Sequence, residues 1–136
     1  MHGIHPYAMF NGNCREAIEF YKKAIGAEVM FIQTVGDSPM KEMGAADKIM
    51  HATLKFGPTQ LMMSDDLRPD STPSKAGNIS LAIGVVDRAQ AESVFAGLSE
   101  GATITMPLEK TYWAEAFGML TDKFGIAWMI NCEAPR

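Results

Sequence analysis

The stretch Asp65–Val85 reads DDLRPDSTPSKAGNISLAIGV, and it contains two kinds of chain. Asp65–Gly77 is rich in Asp, Ser, Pro and Gly, residues that favour turns or restrict φ, and it predicts a linker. Asn78–Val85 is apolar and β-branched and predicts a strand. Beyond it Asp87 is placed to cap a helix that carries Ala91, Val94, Phe95 and Leu98 at helical spacing, and Gly101 stops that helix. ATITM (102–106) predicts a strand. Trp113–Thr121 and Ile126–Asn131 flank Asp122-Lys123-Phe124-Gly125 as a closing hairpin, so this half reads β-α-β-β-β.

Upstream of the linker the same order is found. Ile4–Phe10 has strand composition and Asn11-Gly12 turns. Asn13 stands at a helix N-cap with Glu16 in the acceptor position of a capping box. Ala17, Ile18, Tyr21, Ala24 and Ile25 keep helical spacing up to Gly26. Ala27–Val35 predicts a strand, 36–47 a loop, and Lys48–Phe56 with Gln60–Ser64 a hairpin about Gly57-Pro58-Thr59. GAE at Gly26 matches GAT at Gly101, and KFG occurs at Lys55–Gly57 and again at Lys123–Gly125, each time in the final hairpin. Matched order with matched short motifs predicts a tandem repeat. The expected fold is a single α+β domain over 1–136, built of βαβββ half-modules 1–66 and 77–133 joined at 65–77. A helix covers one face of each sheet, so curved mixed sheets combining their other faces enclose a cleft.

The whole chain narrows the function. It has 136 residues, 47% hydrophobic residues and a formal net charge of -4. That balance lacks the basic footprint of nucleic-acid binding. No apolar run approaches the roughly 20 residues of a membrane helix, and MHGIHPYAMF has no signal-peptide pattern. Cys14 and Cys132, without CxxC spacing, read as reduced thiols of a cytoplasmic protein. Cys14 lies in a first helical turn, where a thiol pKa is often lowered, but no His is near it in sequence and a structural thiol is the expectation. Asp65-Asp66 with Asp70 lacks the spacing and central Gly of an EF-hand and reads as solvated linker.

The duplicated β-α-β-β-β resembles the vicinal oxygen chelate superfamily of glyoxalase I, extradiol dioxygenases and bleomycin-resistance proteins. PYAMFNGNCREAIEFYKKAIGAE, DKIMHATL, GNISLAIGV and YWAEAFGMLTDKFGIAWMIN are similar to its PhnB-like branch, often labelled 3-demethylubiquinone-9 3-methyltransferase. The sequence has no glycine-rich strand-to-helix loop of the kind that cradles a dinucleotide or S-adenosylmethionine, so the methyltransferase label has no support in it. The resemblance implies a homodimer whose subunits complete each other's cavity, and a small-molecule ligand. It also implies metal-ligand positions on the first and fourth strands of each half, filled in metal-dependent members by His, Gln or Glu. Here those positions fall at or beside His5, near Met62, at Asn78 and at Met129. A thioether is a poor ligand for a hard divalent ion and an amide a weak one. The expectation is a cleft without a metal or other cofactor.

Alternation places Ile49, His51, Thr53 and Lys55 on the concave face of their strand, and Met50, Ala52, Leu54 and Phe56 under the helix. On the fifth strand Asn78, Ser80 and Ala82 are expected inward, with Ile79, Leu81 and Ile83 beneath the helix. The candidate catalytic residues are His5 and His51, since imidazole serves as acid or base near neutral pH. The candidate ligand-binding residues are Tyr7, Met62, Asn78, Ser80, Trp113 and Met129. Each also has a structural reading: a surface His5, a hydrogen-bonded His51, methionines as adaptable packing. Trp128, facing opposite to Met129, is expected in the core. Three functions are consistent with this pattern: metal-free small-molecule binding, a metal-dependent lyase, isomerase or dioxygenase using His5 and His51, and antibiotic sequestration.

Overall fold

Burial of an amphipathic helix against one face of a four-stranded sheet builds each half of the chain. The computed structural model describes residues 3–37, 47–66 and 78–133. The chain divides into two compact units, Met1–Pro73 and Ser74–Arg136. In the first, the elements are β1 (Tyr7–Phe10), α1 (Cys14–Ile25), β2 (Glu28–Thr34), β3 (Ile49–Phe56) and β4 (Thr59–Asp65). The sheet order is β1-β4-β3-β2, with β1 parallel to β4 and the other pairs antiparallel. Cys14, Ala17, Ile18 and Tyr21 form the buried stripe of α1, over Phe10, Ala52, Leu54, Leu61 and Met63 of the sheet. Gly26 ends the helix in the left-handed conformation, φ 69°, which a Cβ would disfavour.

The expected cap at Asn13 is not formed: its side chain makes no capping bond. A residue distant in sequence takes that task. The buried Asp65 carboxylate accepts Cys14 N–H through Oδ1 (2.9 Å) and Ile49 N–H through Oδ2 (2.8 Å), tying the helix start to β3 from the end of β4. The first strand begins at Tyr7, three residues after the expected Ile4.

The second unit contains β5 (Leu81–Val85), α2 (Arg88–Leu98), β6 (Thr103–Glu109), β7 (Ala114–Thr121) and β8 (Ala127–Glu133), in the order β5-β8-β7-β6 with β5 parallel to β8. Here the cap is local, as expected. Asp87 accepts Gln90 N–H (2.7 Å), and Gln90 Oε1 accepts Val86 N–H (2.9 Å) in return. Ala91, Val94 and Leu98 of α2 are buried, as are Ile83, Ala116, Leu120, Trp128 and Ile130 of the sheet. Trp128 is 5% exposed and donates Nε1–H to Asp122 Oδ2 (2.8 Å). Asp122 Oδ1 accepts Phe124 and Ile126 N–H, which fixes the hairpin turn. The fifth strand starts later than expected. Asn78 and Ser80 precede it, and Ile79 is 79% exposed instead of lying under the helix.

The duplication extends to register. Five residues after Gly26 stands Phe31, and five after Gly101 stands Met106; each follows a shift in pairing at the preceding residue. Glu28 pairs with Lys55 as Thr103 pairs with Thr121. The KFG triplets are not equivalent, however. Phe56 pairs with Thr59 across a two-residue turn, whereas Thr121 pairs with Ala127 across a five-residue one, so Lys123-Phe124 lie in a loop and Lys55-Phe56 in a strand. Residues 38–46 of the expected loop, and 67–77 of the expected linker with Asp70, lie outside the described residues. Among the described residues no helix is long and apolar enough to cross a membrane.

Candidate ligand-binding site

Each sheet has a face turned away from its helix, and strand pairing determines what stands there. In the first unit Tyr7 pairs with Met62, Met62 with Thr53, and Thr53 with Phe31, forming one row across β1, β4, β3 and β2. His51 lies on the same face, two residues before Thr53, and pairs with Gln33. The long Tyr7 side chain reaches over Met62, and its hydroxyl lies 3.3 Å from His51 Nδ1. Thr53 Oγ1 lies 3.2 Å from His51 Nε2. The Tyr7 and Phe31 rings flank the imidazole at centroid distances of 5.7 and 6.0 Å. A polar imidazole between two hydroxyls and two aromatic rings can bind, orient or exchange a proton with a ligand on this face.

The equivalent row in the second unit is Ala82, Met129, Met119 and Met106. Phe117 occupies the place of His51, and Trp113 stands edge-on to it at 5.4 Å. Trp113 is 45% exposed and also meets the Tyr112 ring at 4.8 Å. This face is a methionine surface with an aromatic border. Polar groups on it include Thr103 and Thr121, paired with each other, and Asn131, opposite Phe117 and Gly84, whose Oδ1 is buried without a hydrogen-bond partner.

Of the residues singled out in the sequence, the structure joins Tyr7, His51 and Met62 on one face and places Met129 on the open face of the other sheet. His5 is exposed just ahead of β1. Asn78 is exposed and Ser80 half-buried, both ahead of β5. Phe31, Met106 and Met119 escaped the sequence reading. Strand composition was visible for all three; the pairing shifts in β2 and β6 that set the faces of Phe31 and Met106 were not, whereas Met119 follows from regular alternation with Phe117 along β7. Cys14 is the structural thiol that was expected: burial, and then the Asp65 charge, push its pKa up to about 12, against a smaller opposing effect of Arg15. It is an inert core group.

Residues 3–130 match the model of the Glyoxalase/Bleomycin resistance protein/Dioxygenase superfamily. The chain belongs to that superfamily. Protein YjdN of Escherichia coli K12 is 33% identical to it, over 94% of this chain and 93% of the relative. The crystal structure of protein PA1353 from Pseudomonas aeruginosa has a TM-score of 0.87 at 44% identity, covering 98% of both chains. A Bacillus cereus PhnB protein, named provisionally as a 3-demethylubiquinone-9 3-methyltransferase, shares the fold with a TM-score of 0.82 at 24% identity, over 96% of this chain and 99% of that one.

The superfamily includes metal-dependent members, and the four ligand positions implied by the resemblance test the fit of a metal here. Met62 and Met129 offer thioethers, Asn78 an exposed amide, and His5 an imidazole. That donor set does not fit a divalent ion that favours nitrogen and carboxylate oxygen. Among the described residues no three His, Cys, Asp or Glu side chains gather as ligands.

Proposed function

We propose that the protein binds a small, largely apolar organic molecule on the open faces of its sheets, as a homodimer and without an obligatory metal ion. The carrying observation is the row Tyr7–Met62–Thr53–Phe31 with His51 beside it. Tyr7 is 46% and Phe31 50% exposed, and large apolar groups left uncovered around a small polar cluster are what a ligand or a second subunit covers. The methionines of the second sheet add an adaptable apolar surface.

A thermal-shift screen of a compound library, run with and without chelator, tests this. A ligand that binds the native state alone raises stability by RT ln(1 + [L]/Kd). Stabilising apolar hits that are indifferent to chelator are expected, with a dimer by light scattering. A monodisperse monomer, a screen without hits, or stabilisation lost with chelator overturns the corresponding part. Turnover of the best hit then separates an enzyme from a sequestering protein. The second reading, a metal-dependent lyase, isomerase or dioxygenase, rests on His5 and on the imidazole of His51. It requires one bound metal per subunit with His5 among its ligands.

A further inference from the structure

We propose that Tyr7, His51 and Thr53 form the hydrogen-bonding head of the site and select an uncharged, ring-bearing ligand that carries a hydroxyl group. This deepens, and rests on, the binding function proposed above. Both nitrogens of His51 lie within reach of a hydroxyl, Tyr7 Oη at 3.3 Å from Nδ1 and Thr53 Oγ1 at 3.2 Å from Nε2. A neutral imidazole has one N–H and one bare nitrogen, whereas a hydroxyl both donates and accepts. Two arrangements therefore satisfy the ring. In one, Tyr7 donates to Nδ1 and Nε2–H donates to Thr53, which leaves Tyr7 as an acceptor for a ligand. In the other, Thr53 donates to Nε2 and Nδ1–H donates to Tyr7, which frees the Tyr7 O–H for a ligand.

The head thus meets a ligand oxygen as donor or acceptor with no change in net charge. A hydroxyl has the same dual character and suits both arrangements. A carboxylate needs a cation instead. The charged groups nearest along this face are Lys55, two residues beyond Thr53, and Glu28, paired with it across β2, and their opposite charges offset each other. The exposed rings of Tyr7 and Phe31, set on either side of His51, supply walls for a flat apolar body.

The test is an NMR titration of the full chain with phenol, anisole and benzoate at about pH 8, where an ordinary imidazole is neutral, the phenol protonated and the benzoate ionised. The phenol is expected to shift the His51 and Tyr7 ring signals and to bind at least about tenfold more tightly than either analogue, since a site built to bond a hydroxyl rejects a molecule lacking it. Tyr7→Phe should abolish the preference over the anisole while leaving anisole affinity alike, and Phe31→Ala should weaken all three. Equal affinity for phenol and anisole, a preference that survives Tyr7→Phe, or tighter benzoate binding overturns the proposal. Probes that leave these ring signals unmoved also overturn it. The broader binding function fails by a different result, a library screen in which no compound stabilises the protein.

Discussion

The two halves of the chain share a scaffold and differ in what they mount on it. At equivalent places on the open faces stand Tyr7, Met62, Thr53 and Phe31 in one sheet and Ala82, Met129, Met119 and Met106 in the other. His51 is matched by Phe117. The helix-facing residues are apolar in both, because each sheet must bury one face against its helix. The open faces carry no such shared requirement, and there one half became polar and aromatic and the other thioether-rich. Core packing constrains a duplicated module, while its exposed face is free to acquire chemistry.

The sharpest way to break this comparison is to test the face assignment on adjacent residues. Trp128→Ala should cost about 3–5 kcal/mol in chemical denaturation, as a core deletion that also removes the bond to Asp122. Met129→Ala, on the open face, should cost about 1 kcal/mol. The reverse order would mean that the strand register is off by one residue and that the open-face set must be exchanged for its neighbours.

The caps form the next contrast. Asp65→Ala should lower unfolding free energy by about 2–3 kcal/mol, since two buried N–H groups lose a charged acceptor. Asp87→Ala, at a local and exposed cap, should cost about 1 kcal/mol. Similar losses at the two sites would show that the cross-strand cap holds nothing beyond its own helix turn.

Gly118 and Ala52 are equivalent positions on the helix-facing side. A Cβ on Gly118 would meet Phe95 Cε2 at 2.7 Å and the Leu108 Cα at 3.0 Å, so Gly118→Ala should destabilise by about 1–3 kcal/mol through overpacking. The first half already accommodates the methyl of Ala52, fully buried. A neutral Gly118→Ala would mean that α2 shifts freely over its sheet.

Cys14 supplies a pH test. Its thiol pKa is raised in the folded state from 9.0 to about 12, so the folded protein favours the protonated form. The resulting stability is complete below about pH 9 and is lost as pH rises from there towards 12. Native Cys14 should react with a thiol reagent at pH 8 at least about tenfold more slowly than in denatured chain, because the thiolate is the reactive species. Equal rates would place the thiol outside the core. The smallest expected effect is Asn78→Ala, within about 0.5 kcal/mol of the parent protein, as for an exposed residue ahead of its strand.

The amino-acid sequence by itself determined the α+β class, the repeat and the direction of most side chains. Periods of two and 3.6 residues are imposed by local backbone geometry, so the opposite facing of Trp128 and Met129, and of His51 and Ala52, could be read directly. Tertiary structure alone decided what depends on contacts between distant strands. Asp65 displaced Asn13 as the cap of α1 across 51 residues of chain, because parallel pairing of β1 with β4 brings the end of β4 to the helix start. The KFG triplets proved unequal because the length of a turn is decided by the pairing on either side of it. Tyr7 met His51 for a related reason: strand order and register set Met62 between their strands, and a tyrosine is long enough to reach across it.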